Sequence, residues 1–538
     1  MVCCLAPLAL LVLAAPPTVL RAREFGALGD GVTDDGPAFA RMLAARRDEV
    51  TFACEPGRVY RVLSAGATPW VFDLRERRDV TLDGGGSRFL LGPEVRLLHA
   101  ERCRGLTVRG LTVDYDPLPF VEGRVVAADA AAGTLDVRVA DGFPLPPLGG
   151  PTREREQSYF AMLWPTAPDG RQAHQHCGVA DLTAPAGERL VRLATSKAVG
   201  HVPNLARVAP GTAITLPVRG IAHRATAVPG GHTTILLDQN TDVRCGDVTL
   251  WSAPLFGWVV QRNEGEVSFR RCHVEPQPES GRRTSIWRDA FHVKGNRAHL
   301  VWEDCRLRGM NDDAFNLATH ASRVERVLAP DRWVVRQVFP LVPMDFRPGD
   351  TVLVADDERG ALLGRAKVVS GGEPVTDARG FAQPLTLRVA APLPGVAAGC
   401  RLWNETSANP GAVIRGCQVA MSCRFQSPDL RLERCVFEAL AWFCSEYVEG
   451  PLPVRLTAAD CRFTVGRGNS TRAVVVSGRL HGPGKPCPPP PTPQIESARF
   501  ERCTVDGELV CEDVARVELP GTTFVAPRGK LSTTRCGR

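Results

Sequence analysis

Between Ile286 and His320 the chain reads IWRDAFHVKGNRAHLVWEDCRLRGMNDDAFNLATH, and the stretch contains an internal repeat. Asp289-Ala290-Phe291-His292-Val293 returns 24 residues later as Asp313-Ala314-Phe315-Asn316-Leu317. If the two copies are neighbouring strands of a stack, Asp289 and Asp313 stand about 4.8 Å apart along the ladder. His292 then aligns with Asn316, while Phe291, Val293, Phe315 and Leu317 fill the interior. Asp312, one residue earlier than Asp313, is aimed differently and brings a third carboxylate to the same wall. Stacked like charges are destabilising and should raise at least one pKa, so together the three can supply an acid and a base. In glycoside hydrolysis one carboxylic acid protonates the leaving oxygen and a second carboxylate activates water or attacks the sugar. The structural alternative is that the aspartates cap turns or share a cation or an arginine such as Arg288 or Arg308, with His292 only hydrogen-bonding.

Such a wall needs stacked strands, and a cysteine pattern supplies the signal. VSFRRCHV (Cys272), LVWEDCRL (Cys305), LRLERCVF (Cys435), LTAADCRF (Cys461) and ARFERCTV (Cys503) share one apolar-x-apolar-x-polar-Cys-x-apolar frame. Each reads as a short strand kinked before the Cys. Recurrence at one coil's length predicts an all-β, right-handed parallel β-helix with the cysteines stacked as buried free thiols. Among the 18 cysteines no Cys-x-x-Cys pair occurs, which argues against a zinc ribbon.

The remaining elements fit around that solenoid. Phe25 to Asp35 (FGALGDGVTDD) leads into PAFARMLAARR, a predicted capping helix with Asp34 or Asp35 at its N-cap. Two regions of hairpin texture are expected to form small antiparallel barrels inserted between coils. The first includes EGRVVAADAAAGTLDVRVADG, which turns at Gly133. The domains expected are a leader over 1–22, N-terminal coils with the cap helix over 23–116, a barrel over 117–238, catalytic coils over 239–321, a second barrel over 322–403 and C-terminal coils over 404–538. Pro483 to Pro493 should form a polyproline II-like loop.

Leu5 to Ala15 is an apolar run too short to span a bilayer. It is read as a cleaved secretory signal, with a buried first strand as the alternative, and predicts a secreted or periplasmic protein. With 51 glycines, 44 prolines and a net charge of +6 spread without blocks, the composition is turn-rich and excludes fibrous, disordered and nucleic-acid-binding classes.

The words WSAPLFGWVVQRNEGEVSFRRCHVEPQPESGR, RDAFHV and GMNDDAFN resemble glycoside hydrolase family 110, in order from about Phe25 to past Cys461. That family comprises exo-acting α-1,3-galactosidases that remove terminal α-galactose from blood-group-B-type or linear glycans, on β-helices carrying inserted barrels. The resemblance implies an inverting mechanism using Asp289, Asp312 and Asp313, with no cofactor and no metal in the chemistry. The division of labour expected from stacking has Asp289 and Asp313 holding the attacking water and Asp312 as the acid, some distance away. Exchanging Asp312 and Asp289 leaves the residue set intact.

Candidate substrate-binding residues are Gln261 and Arg262 beside the aspartates, Trp287 stacking on a sugar face, His292, Asn316 and Glu449. Glu446 is the rival to Glu449 within the Tyr447-Val448-Glu449 neighbourhood. Asn311 departs from the small or acidic residue expected before the Asp pair. The partner expected is an oligosaccharide or glycoconjugate ending in α-galactose, with no nucleic acid, no membrane span and a homodimer possible on geometric grounds. Family 28 polygalacturonases also resemble the chain in the Asp pair, but their Gly-His-Gly and Arg-Ile-Lys words are missing. A non-catalytic glycan-binding β-helix is the other alternative.

Overall fold

Apolar side chains at every second position make a strand with one greasy face, and repetition of that pattern coil after coil gives each strand an equivalent neighbour on which to close that face. The computed structural model describes residues 18–149, 160–164, 175–185, 189–198, 201–218, 233–338, 344–356, 358–359, 361–375, 382–445, 449–465, 471–482, 485–486, 489–490 and 492–537. Its coils pair into two long sheets. One coil runs through strand Phe291–Lys294, a corner at Gly295-Asn296, strand His299–Glu303, a corner at Asp304-Cys305 and strand Arg306–Leu307. It then returns at Phe315–His320, where Phe291 pairs in parallel with Phe315 and His292 with Asn316. Inside, Trp258, Phe291, Phe315, Phe425 and Phe443 stack from coil to coil with ring centroids 5.0 to 6.1 Å apart.

The corners explain the cysteine frame. Residues Arg102, Arg271, Asp304, Gly416, Arg434, Asp460 and Arg502 all have φ between 50° and 63°, and each immediately precedes a cysteine. A left-handed non-glycine residue costs about 1 kcal/mol. The small thiol behind it tucks inward and donates to carbonyls, as Cys305 Sγ does to Phe269 and Glu303. All the described cysteines are free, and all but Cys536 are buried.

A second corner carries a buried asparagine ladder that the sequence reading did not identify. Asn240, Asn263, Asn296 and Asn409 sit on successive coils, each Nδ2 donating to the next Oδ1 at 2.8 to 3.1 Å. Asn296 Oδ1 also accepts the Asn263 backbone N–H, and its Nδ2 reaches the Val260 carbonyl. Removing it leaves several buried groups unpaired, at about 1–3 kcal/mol each. Asn296→Ala is therefore expected to lower the thermal midpoint by several degrees. A midpoint equal to wild type would show that the ladder contributes nothing net.

The chain leaves the coils twice to form closed six-stranded antiparallel barrels, one between Phe120 and Pro217 and one between Ser322 and Asn404. Val125, Leu135, Val137 and Val139 lie in the core of the first. Arg297 ties the second to the coils through Asp345 and Asp350.

Near the start of the described chain, Thr18–Arg21 is a strand paired in parallel with Val50–Ala53. This strand lies within the 1–22 stretch read as a leader, and residues 1–17 lie outside the described residues. Helix Gly36–Ala45 buries Phe39 and Met42 in the solenoid core. Asp35 occupies its N-cap position, but its carboxylate turns back to accept the Leu28 N–H at 2.7 Å, and Asp34 instead accepts from Gly36. His481–Gly482 pairs antiparallel with Lys485–Pro486 at the start of the proline-rich stretch, of which residues 483–484, 487–488 and 491 lie outside the described residues.

Candidate active site

The parallel register that pairs Phe291 with Phe315 and Cys423 puts His292, Asn316 and Arg424 in one outward row. Two residues before each of the first two strands, Asp289 and Asp313 form the row beside it, and Asp312 pairs with Arg288. Each of the three aspartates offers a carboxylate oxygen within 4.8 Å of the others'. The wide separation expected between Asp312 and a partner is corrected by this: all three converge, well inside the ~6.5–9.5 Å of a spread acid–base pair.

Their surroundings make the three unequal. His292 Nδ1 lies 2.7 Å from Asp289 Oδ2, and burial together with the Asp312 charge pushes the Asp289 carboxyl up to about 8. Asp313 is raised too, by burial and then by Asp312 and Asp289, against the pull of Arg424, whose Nε lies 3.0 Å away; Ser422 Oγ donates to its other oxygen. Burial would raise Asp312 as well, but the Arg288 guanidinium at 2.5 Å and Arg424 outweigh it and hold the carboxyl below the usual range. Burial and like charge thus favour the protonated form at Asp289 and Asp313, while the two guanidiniums favour the charged form at Asp312. Of the two divisions of labour left open by the sequence, these opposed shifts favour the exchange that makes Asp289 the proton donor. His292 is kept neutral by burial and by Lys294.

Of the other expected residues, Asn316 and Glu449 stand by the aspartates in one buried network. Lys294, with a fully buried side chain, donates to Asn316 Oδ1 at 2.6 Å and lies 3.0 Å from Glu449 Oε1. Arg424 bridges Glu449 and Asp313. Burial would raise Glu449, but Lys294, His320 and Arg424 hold it well below the usual range. Glu446, Tyr447 and Val448 lie outside the described residues.

Three expectations fail on placement. Arg262 sits at a left-handed corner, φ 56°, which turns it away to pair with Asp238 and Glu373. Gln261 is buried at the end of its strand, in register with Lys294 and not with the aspartates' row. Trp287 is fully buried among Trp70, Met162, Trp164 and Phe256, so it packs the first barrel onto the coils and has no face for a sugar.

Lys294, Arg424, Ser422, His320 and His176 were missed. Lys294 had a signal, since it shares the outward face of its strand with His292. His176 belongs to the first barrel and approaches the Asn311 carbonyl at 3.3 Å, while strand Glu449–Gly450 folds antiparallel onto Thr319–His320. The aspartates are thus walled on two sides, and Phe256 stacks on His292 at 4.4 Å. A cavity of about 1020 Å³ opens elsewhere, beside the first barrel between Arg138 and Arg283, and holds none of the aspartates.

A β-helical protein with three converging carboxylates beside one parallel sheet is the class these features define. No family model matches the chain. It is 25% identical over 366 residues to alpha-1,3-galactosidase B of Bacteroides thetaiotaomicron, covering 65% of this chain and 55% of that protein. It is 24% identical over 314 residues to alpha-1,3-galactosidase A of Shewanella woodyi, covering 54% and 47%. The chain spans about half the length of these curated relatives. Among solved structures it is similar to the family 28 exopolygalacturonase of Yersinia enterocolitica, at 10% identity and a TM-score of 0.29, over 97% of this chain and 78% of that one.

Proposed function

We propose that the chain is an exo-acting glycoside hydrolase that removes terminal α-1,3-linked galactose from blood-group-B-like or linear glycans without a metal in the chemistry; inversion is carried over from the resemblance to family 110, because the spacing of the carboxylates alone is shorter than the ~6.5–9.5 Å of an inverting pair. The observation that carries this reading is the opposed titration of three converging carboxylates, Asp289 raised to about 8 and Asp312 lowered. Asp289 is then the acid present at neutral pH, and Asp312 the base. Two acceptor oxygens within 4.8 Å suit one bridging water, which supports water as the nucleophile over direct attack by a carboxylate that Arg288 already neutralises.

In the proposed step the water oxygen bonds to the anomeric carbon as the glycosidic bond breaks. The Asp289 proton passes to the leaving oxygen, and a water proton passes to Asp312. Buried Glu449, Lys294 and Asn316, with half-buried Arg424, line the wall next to the trio and are suited to galactose hydroxyls or to fixing the groups that touch them. Exo action is the reading favoured by the contacts that close the site on two sides, His176 of the first barrel and strand Glu449–Gly450. The names of the relatives in two bacterial genera agree with the galactose specificity. Release of free galactose from an α-1,3-galactosyl disaccharide tests the proposal, and inactivity there and on other α-galactosides would overturn it in favour of a glycan-binding protein.

A further inference from the structure

The cavity of about 1020 Å³ beside the first barrel is separate from the aspartates, and its charge pattern departs from that of the nearby surface. In several places an exposed arginine meets a carboxylate on the neighbouring coil, as Arg109 does Asp83, Arg271 does Asp247 and Arg502 does Asp460. Within the first barrel Arg192 likewise pairs with Asp136 of strand Thr134–Val139. Two residues further along that strand the pairing is reversed in sense. Arg138 stands directly opposite Arg124 of strand Phe120–Asp129, and both are exposed.

Like charges directly opposite each other destabilise a sheet, so folding alone gives no reason for this pair. Their chain neighbours Val125 and Val137 fill the barrel core, which sets both guanidiniums on the outer face. Arg124 Nη1 donates to the Gly211 carbonyl at 2.9 Å, and neither arginine meets a carboxylate among the described residues. The acidic groups of the cavity are turned elsewhere: buried Glu122 accepts the backbone N–H groups of Arg283 and Thr284 at 2.8 Å each, and exposed Asp141 lies 3.4 Å from Arg189. Half-buried Phe143 and exposed Val126 give the same cavity an apolar surface. Neighbouring guanidiniums match the oxygens of a carboxylate or a sulfate, and an apolar surface beside them suits the body of a sugar ring. The volume is at the upper end of the about 300–1,000 Å³ of ligand sites, which suits an oligosaccharide.

We propose that the first barrel carries a second glycan site, in which Arg124 and Arg138 together hold the carboxylate or sulfate of an acidic sugar. The inference goes beyond the proposed function: the aspartates act on neutral galactose, and this cavity binds a charged residue and performs no chemistry. It stands on the arginine pair and the cavity alone. A charge-assisted hydrogen bond to such an anion is worth about tenfold in binding.

The experiment titrates the full chain calorimetrically with a sialylated trisaccharide and with a sulfated disaccharide, using lactose and inorganic sulfate as probes of the sugar and of the anion alone. Wild type, Arg124→Ala, Arg138→Ala and Arg138→Glu are compared, with thermal midpoints to show that they fold. The expected result is that at least one charged saccharide binds more tightly than lactose and than sulfate, that each alanine variant weakens it about tenfold, and that Arg138→Glu weakens it further; the saccharide that binds identifies the anion. Binding of neither charged saccharide, lactose binding as tightly as either, or affinity unchanged in Arg138→Glu would overturn the site. Inorganic sulfate binding as tightly as the charged saccharides would show an anion contact with no glycan recognition and overturn it as well. The readout does not depend on galactose release, so failure of the proposed function and failure of this site are told apart.

Discussion

Asp312→Asn is expected to lower kcat/KM on an α-1,3-galactosyl disaccharide by about 10³-fold or more, and Asp289→Asn by a similar factor. Asp312 is the one carboxylate of the three that its neighbours keep ionised, through Arg288 at 2.5 Å and Arg424. An amide there accepts no proton from water and leaves the Arg288 charge uncompensated. Asp289 fails for the opposite reason: its amide cannot deliver the proton that the leaving oxygen needs. Because acid and base act in one step, the double variant should lose little beyond either single variant. Asp313→Asn keeps the Ser422 contact yet removes one of the oxygens that hold water, so a comparable loss is expected. Steady-state kinetics on the purified variants, with thermal midpoints to show that they fold, checks this, and retention of more than a tenth of wild-type activity by Asp312→Asn would refute the assignment.

The second expectation joins pH, activity and stability. With Asp289 raised to about 8 by burial and the Asp312 charge, kcat/KM should fall along an alkaline limb near pH 8, while the base limb lies below the usual carboxylate range because Arg288 and Arg424 hold Asp312 down. The protons are shared within the trio, so these limbs belong to the cluster as a whole. Between about pH 4 and pH 8 the folded state keeps a proton that the unfolded chain has released, so raising the pH through that window favours unfolding. Above pH 8 the penalty is complete and no longer grows. Asp289→Asn removes it, so the inactive variant should melt higher than wild type, by an amount corresponding to a few kcal/mol at pH 8 and vanishing near pH 4. Melting curves across that range check the sign, and a variant that melts lower than wild type at pH 8 would contradict the placement of a proton on Asp289.

What could be read in the sequence was what repeats. The Asp289-Ala290-Phe291 and Asp313-Ala314-Phe315 words fixed a strand register that the ladder keeps, and the cysteine frame marked corners where a left-handed residue must precede a small side chain. What escaped were contacts made by parts of the chain far apart in sequence. Arg424 returns to Asp313 only after the second barrel, and Trp287 is covered by Met162 and Trp164 of the first. The proposed acid–base assignment turns on Arg288, read in the sequence as an arginine the aspartates could share, which stands beside Asp312 and holds its carboxyl below the usual range. Arg262 shows the converse case: its position after a strand suggested a site role, but the same left-handed corner that carries the asparagine ladder aims it elsewhere.

The most direct measurement follows an α-1,3-galactosyl disaccharide by NMR as wild type and Asp312→Asn act on it, recording both the release and the first anomer of galactose. The expected result is β-galactose appearing first with wild type and no release with Asp312→Asn. Absence of galactose with wild type, or equal release by both proteins, would contradict a hydrolase built on these three aspartates.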